Sequence, residues 1–221
     1  GGFSAGGQGY LTPSSATGKM AHFNLESSGG PAESFAVEAS HLNAAAHSVA
    51  VSSWHAVRRD VSVLDFQTVG TTPDGDLKGF SSVFVSGGYA YFTPNNNGAA
   101  FGKLVRVAVN DFTSIATMDL TTVDADLMGF SGGFESAGVG YLVPNNNGAA
   151  FGKLVRVDLS KFGLSSAITV LDLVSFVDGL KGFVGSFVSG SYVYLIPANN
   201  GVPFGSFVRV DLTDFTFTGI S

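Results

Sequence analysis

The chain has 221 residues, of which 45% are hydrophobic, 13% are charged and 30 are glycine. This composition excludes an intrinsically disordered chain, and the net charge of −6 argues against nucleic-acid binding, which needs clustered Lys and Arg. No apolar stretch approaches the roughly 20 residues of a membrane-spanning helix, so we expect no transmembrane segment.

Cysteine is absent, which excludes disulfide bonds and thiolate chemistry without identifying the compartment. The chain also lacks an Asn-x-Ser/Thr sequence, which excludes N-glycosylation. The first residue is Gly1 rather than Met, which predicts processing or a longer natural chain. For the localisation of the protein, we favour an extracellular or organellar assembly.

The first of four predicted units spans about residues 1–66 and begins with a glycine-rich strand that contains Phe3. A second strand ends before Pro13, because proline cannot donate to a strand ladder. A third strand follows, and the fourth resumes at residues 62–66. Between the third and fourth strands lies an insertion of about 30 residues, at roughly 27–58, which interrupts the repeat.

The insertion has a composition unlike that of the rest of the chain. Its alanine-rich part favours a helix between Pro31 and about His47. It also holds the only tryptophan, Trp54, followed by Arg58 and Arg59. Because Trp and Arg are enriched at interface hot spots, these three residues are the candidate partner contact. The alternative is that the insertion is a simple lid over the edge of the repeated sheets. The histidines of the insertion are not spaced along one helical face, which argues against a zinc site.

The next two units share a long identical segment. Residues 94–107 return unchanged as residues 144–157, fifty positions later. In the third unit, alternating apolar residues predict four short strands, with a turn at the Asn-Asn-Asn-Gly sequence after Pro144. We therefore predict units at about residues 80–120, 130–173 and 183–221. The last unit is more divergent than the two before it.

Tyr141-Leu142-Val143, a turn, and then Leu154-Val155-Arg156-Val157-Asp158 resemble the strands of kelch-type β-propeller blades. The sequence around these strands is similar to that of uncharacterised multi-repeat proteins of algae and oomycetes, a group that implies no known activity. The resemblance covers nearly the whole chain outside the insertion. It implies an all-β propeller of about four four-stranded blades in one domain, residues 1–221, with one partly helical insertion.

A parallel β-solenoid is the competing architecture for this repeat. A solenoid would have shorter rungs and ladders of stacked like residues. The period of about 50 residues and the proline after each second strand favour blades instead.

A repeated arginine lies in the middle of each third strand, at Arg106, Arg156 and Arg209. Propeller sheets are covered on both faces, and a buried arginine needs a carboxylate partner. The fourth strands supply an aspartate at a repeated position. These aspartates are Asp65, Asp119 and Asp172. We therefore predict structural Arg–Asp pairs between adjacent strands, and the alternative is a ring of arginines that binds a ligand.

Asparagines recur after the second strand of three units, where they would emerge on one rim. The set comprises Asn95, Asn96, Asn97, Asn145, Asn146, Asn147, Asn199 and Asn200. Amide side chains both donate and accept hydrogen bonds, which suits the hydroxyl groups of a sugar. The neighbouring Phe101 and Phe151 are candidates to stack on a sugar ring. The simpler interpretation is that the asparagines serve turn geometry.

Two other motifs resemble ligand loops. Residues 98–103 and 148–153 have three residues between their glycines and a Leu after the lysine, whereas a phosphate-binding loop needs four residues and a Ser or Thr. The pairs Asp74/Asp76 and Asp124/Asp126 lack full calcium-loop spacing, so we predict capped turns.

No Ser-His-Asp arrangement can be identified, because all four histidines lie between residues 22 and 55. We therefore expect a non-enzymatic scaffold or protein-interaction module, without cofactor or metal, whose partners are other protein subunits. A carbohydrate-binding, lectin-like propeller that uses the asparagine rim is the alternative. A propeller hydrolase with carboxylates in a central channel is a third interpretation.

Overall fold

The computed structural model describes residues 2–5, 8–11, 19–24, 62–69 and 74–217. These residues form sixteen strands in four antiparallel sheets of four strands each. In this part of the chain the only helical segments are short 3-10 turns, so the all-β prediction is confirmed. The insertion, with its predicted helix and with Trp54, Arg58 and Arg59, lies outside the described residues.

Each sheet contains consecutive strands in sequence order. The first sheet comprises β1 (Gly2–Ala5), β2 (Gln8–Leu11), β3 (Lys19–Asn24) and β4 (Ser62–Asp65). The second comprises β5 (Phe80–Ser86), β6 (Tyr89–Pro94), β7 (Lys103–Ala108) and β8 (Ile115–Asp119). The third comprises β9 (Phe130–Ser136), β10 (Val139–Pro144), β11 (Lys153–Asp158) and β12 (Ile168–Asp172). The fourth comprises β13 (Phe183–Ser189), β14 (Tyr192–Pro197), β15 (Val208–Asp211) and β16 (Thr216–Phe217).

The sheets pack face to face in the order of the chain. β1 lies beside β5, β5 beside β9, and β9 beside β13. We call the face that a sheet turns to the following sheet its front face, and the opposite one its back face. On β7, for example, alternation places Leu104 on the front face and Val105 on the back face. Both side chains are fully buried, because the sheet is covered on both sides.

A separate core therefore lies between each pair of consecutive sheets. Between the second and third sheets, Phe84, Tyr91 and Leu104 pack against Leu142, Val155 and Val157. Between the third and fourth sheets, Tyr141, Val143 and Leu154 pack against Val193, Leu195 and Val210. Leu64 and Phe66 cover the back face of the second sheet in the same way. Between the second and third sheets, the rings of Phe84 and Tyr91 on the front face meet smaller aliphatic side chains on the back face.

Candidate functional site between the third and fourth sheets

The asparagine-rich loops fold back against the chain segment that enters the same sheet. The backbone N–H of Asn199 donates to the carbonyl of Gly182 (3.1 Å), and the Nδ2 of Asn200 donates to the carbonyl of Gly179 (3.1 Å). The Oδ1 of Asn199 accepts the backbone N–H of Gly201 (2.8 Å). The same bonds recur in the second and third units. These contacts agree with the turn-geometry interpretation.

One asparagine of the second and third units instead connects two sheets. The Nδ2 of Asn95 donates to the carbonyl of Phe130, and that of Asn145 donates to the carbonyl of Phe183, each at 2.7 Å. The acceptor belongs to the first strand of the following sheet in both cases. The fourth unit has Ala198 at this position and so lacks the amide.

The loops of the third and fourth units enclose a cleft of about 410 Å³. Its lining comprises Asn145, Asn146, Ala149, Ala150, Lys181, Asn199, Asn200 and Gly201. Four asparagines of the predicted rim are thus brought together, whereas Asn95, Asn96, Asn97 and Asn147 do not line this cleft. Sequence reasoning missed Lys181. A comparison of the units contained a signal for it, because the equivalent residue of the third unit is Met128.

Each asparagine of the cleft uses one end of its amide in an internal hydrogen bond and leaves the other end available. Among the described residues, no hydrogen bond engages the Oδ1 of Asn145 or Asn200, or the Nδ2 of Asn146 or Asn199. Two acceptors, two donors and the Lys181 ammonium therefore border the same space. This set of groups can bind a polar ligand that bears hydroxyl groups or a negative charge.

The predicted stacking of Phe101 and Phe151 on a sugar ring is wrong. Both rings are buried between sheets. Phe101 packs edge-on against Phe80, and Phe151 packs edge-on against Phe130, with ring centroids 5.4 Å apart in each pair. Among the described residues, no aromatic side chain lines the cleft, so recognition by this lining depends on hydrogen bonds and charge.

In the second and third units, the predicted Arg–Asp pairs do not form between the strands. In the register of β7 and β8, Arg106 lies opposite Ala116, and Asp119 lies opposite Lys103. In the register of β11 and β12, Arg156 likewise lies opposite Thr169, and Asp172 lies opposite Lys153.

The aspartates of this set close turns. The Oδ1 of Asp119 accepts the backbone N–H of Thr121 (3.0 Å), and that of Asp172 accepts the backbone N–H of Val174 (3.1 Å). Asp65 accepts the backbone N–H of Gln67 (3.1 Å) in the same way.

The repeated arginines lie over aromatic rings instead. The guanidinium of Arg106 is 4.6 Å from the ring centroid of Tyr89 and 4.5 Å from that of Phe162, which follows β11 of the next sheet. Arg156 lies over Phe215 of the fourth sheet at 4.9 Å. Arg209 lies over Tyr192 of its own sheet at 4.5 Å. These contacts are cation–π interactions.

The paired aspartates form capped turns, as predicted, and each pair also binds a lysine. The Oδ1 of Asp124 accepts the backbone N–H of Asp126 (3.0 Å), and the Nζ of Lys153 lies 2.7 Å from a carboxylate oxygen of each. The hydrogen bond from Lys153 holds the pKa of Asp124 below its ordinary value, and the same contact raises the pKa of Lys153. Lys103, Asp74 and Asp76 repeat this arrangement in the second unit.

Comparison with protein-family models and with curated proteins gives no match for this chain. No protein-family model matches it, and neither does any curated protein. Within the described ranges, no helix is long and apolar enough to cross a membrane. The same residues contain no group of three or more His, Cys, Asp or Glu side chains placed to hold a metal ion.

Proposed function

We propose that this chain is a non-enzymatic scaffold of the kelch-like β-propeller type, and that it serves as a repeating or accessory subunit of a larger assembly. The observation that carries the proposal is the use made of the repeated residues. The repeated Phe, Leu and Val side chains fill the cores between sheets, and Asn95 and Asn145 bind the following sheet. The repeat thus serves the stacking of sheets.

The way in which the sheets pack supports a propeller. The first strands β5, β9 and β13 are neighbours, and every described core lies between consecutive sheets. A radial arrangement of four-stranded sheets has both features.

The described side chains also offer little for acid–base chemistry. Residues 62–69 and 74–217 contain no histidine. Asp74 and Asp124 are bound to lysines, while Asp119 and Asp172 close turns. Carboxylates in these roles are not placed to act as a general acid and base.

The test of the scaffold proposal is the state of the protein in its native source. We expect gentle extraction followed by cross-linking mass spectrometry to recover the chain in stoichiometric complex with other subunits. Recovery as a free monomer that turns over a substrate would refute the scaffold proposal.

A second experiment concerns the insertion, which we propose as the partner-specific contact through Trp54, Arg58 and Arg59. Replacing residues 28–57 by a short Gly-Ser bridge should leave the fold intact, because loop length has a small effect on closure entropy. Binding to the native partner should be lost. Unchanged binding would move the contact to the repeated parts of the chain.

The cleft between the third and fourth sheets supports a second candidate function, the binding of a glycan. Its donors, acceptors and ammonium group match a hydroxylated ligand, and an acidic sugar would also pair with Lys181. We propose a glycan array with the purified chain as the test.

The repeat provides matched controls for that array. Asn145→Ala should abolish binding, whereas Asn95→Ala should not, because Asn95 makes the equivalent sheet-to-sheet bond outside the cleft. Lys181→Met should weaken binding to acidic sugars, while Lys78→Met, the equivalent change in the second unit, should have no effect. Equal effects of the Asn variants would show that any binding depends on stability and not on the cleft.

A further inference from the structure

The fourth sheet has a front face that no other described element of the chain covers. Phe187 is 49% exposed and Phe207 is 58% exposed. Their counterparts in the second sheet, Phe84 and Leu104, are 8% and 0% exposed. The same positions thus belong to a core in the second sheet and to the surface in the fourth.

The uncovered side chains form one continuous aromatic surface. The rings of Phe187 and Tyr194 are stacked with centroids 4.9 Å apart, and Phe207 lies 5.6 Å from Tyr194 on the same face. Ile196 extends this surface and is 41% exposed. Contiguous apolar surface of this kind marks a protein interaction site.

The other sheets show which kind of surface fits this face. On the second sheet, Tyr91 and Arg106 both contact Phe162 of the following sheet. On the third sheet, Tyr141 and Arg156 both contact Phe215 in the same way. The equivalent pair on the fourth sheet is Tyr194 and Arg209, and no sheet follows it in the described chain. The fitting partner is therefore the back face of another sheet of this kind.

We propose that the front face of the fourth sheet binds the back face of the first sheet of a second copy of this chain. This inference rests on the scaffold function proposed above and names one partner of the scaffold. The first sheet meets the second through one face, to which Leu64 and Phe66 contribute. The joint between two copies therefore continues a joint that is made three times within each copy.

The register of the first sheet agrees with this pairing. Gly9, Leu11, Ala21 and Phe23 are the residues that match, in repeat position, the back-face residues Ala90, Phe92, Val105 and Val107 of the second sheet. This set is apolar, as at the equivalent positions of the other sheets.

The residues that distinguish the fourth unit favour a joint of larger apolar area. Phe207 replaces the leucine of the second and third units, and Ile196 takes the place of Thr93 and Val143. Ala198 replaces the asparagine that binds the following sheet. The joint between copies thus depends more on apolar contact than the joints within a copy. A head-to-tail contact of this type is heterologous, so it produces either a closed ring of two or more copies or an open chain of copies.

Size-exclusion chromatography with light scattering on the purified full chain tests the proposal. We expect oligomers of the wild-type chain, either a ring of fixed size or chains that grow with protein concentration. Phe187→Glu and Phe207→Glu should each give a monomer, and both should keep the wild-type circular dichroism spectrum, because these side chains are already about half exposed. Leu164→Glu is the control. Leu164 is 58% exposed but lies between β11 and β12, so this variant should still assemble.

A mixing experiment identifies the partner surface. A labelled Phe187→Glu chain keeps its first sheet, so it should add to the end of wild-type oligomers and shorten them. If wild type forms only dimers and excludes the labelled variant, two front faces bind each other and the proposal is overturned.

A wild-type chain that is monomeric at every concentration would also overturn the proposal, because another surface would then cover the fourth sheet. That result would leave the scaffold function standing wherever the native complex is found. Conversely, a purified chain that oligomerises but is a free monomer in its source would refute the scaffold function alone.

Discussion

Gly182 provides the sharpest test of how the loops at the cleft are held. Its φ of +75° lies in the left-handed region, and a Cβ built there would be 1.6 Å from the carbonyl oxygen of Asn199. Gly190 is a matched control in the same sheet, with a φ of 61° and no atom within 4 Å of an added Cβ. Replacing each by alanine separates the conformational effect from the steric one.

The expected magnitudes follow from these contacts. Both substitutions place alanine in a left-handed conformation, which costs about 1–2 kcal/mol. Gly182→Ala must also displace the loop, which breaks the bond from Asn199 N–H to the Gly182 carbonyl and strains that from Asn200 to Gly179. At about 1 kcal/mol for each bond, the total loss is about 3–4 kcal/mol. The two variants therefore differ by about 2 kcal/mol, which for a chain of this size separates their melting temperatures by roughly 4–8 °C.

Urea denaturation and thermal unfolding followed by circular dichroism measure both losses. The urea slopes of the two variants should match, so that the midpoints report stability. If Gly182→Ala and Gly190→Ala destabilise the protein equally, the loop at Asn199 moves aside without a loss of stability. The close approach would then contribute nothing to the shape of the cleft.

Three further outcomes follow from the ion pairs, the amide between sheets and the arginines. Lys153→Met should lower the urea midpoint of unfolding at pH 7, and the difference in midpoint from wild type should close below about pH 4. The pKa of Asp124 is lowered in the folded state, so the ion pair is fully stabilising above the ordinary pKa of about 3.9 and is lost as the pH falls through the folded-state pKa. A difference that stays constant from pH 7 to 2 would contradict this. Asn145→Ala should reduce the free energy of unfolding by about 1 kcal/mol through the lost bond to the fourth sheet, and an unchanged urea midpoint would show that this bond adds no stability. Arg106→Met should lower the melting temperature more than Arg209→Met, because Arg106 lies between two rings and Arg209 over one; equal shifts would contradict the cation–π interpretation.

The all-β class and the four strands of each unit could be predicted because their signals are local. Alternating apolar residues define a strand within a few positions, and the proline and asparagine after β6 and β10 mark where each strand ends. The capped turns at Asp74 and Asp124 were predictable for the same reason, since each is closed by the residue two positions later.

The partners of the arginines could not be predicted, because they depend on register and on the next unit. A strand-to-strand offset of three residues places Asp119 opposite Lys103 instead of Arg106. The ring over Arg106 belongs to Phe162, 56 positions later in the chain. No local pattern connects residues that far apart. The asparagines of the cleft were visible in the sequence, but only the packing of two sheets brings Lys181 beside them.

The division of contacts within and between units bears on how the repeat arose. The ion pair of Lys153 with Asp124 and Asp126 stays within one unit, whereas the amide of Asn145 reaches the next. A gene duplication that copies the 50 residues from Asp124 onward would supply each new unit with its own ion pair and with an amide aimed at its successor. If such a copy were inserted between the second and third sheets, each of these two sheets would pack against the new sheet through its usual contacts. Each extra copy would add one more joint between sheets. The number of units can therefore change by in-frame duplication without any compensating substitution, and the exact identity of residues 94–107 and 144–157 is what a recent event of this kind leaves behind.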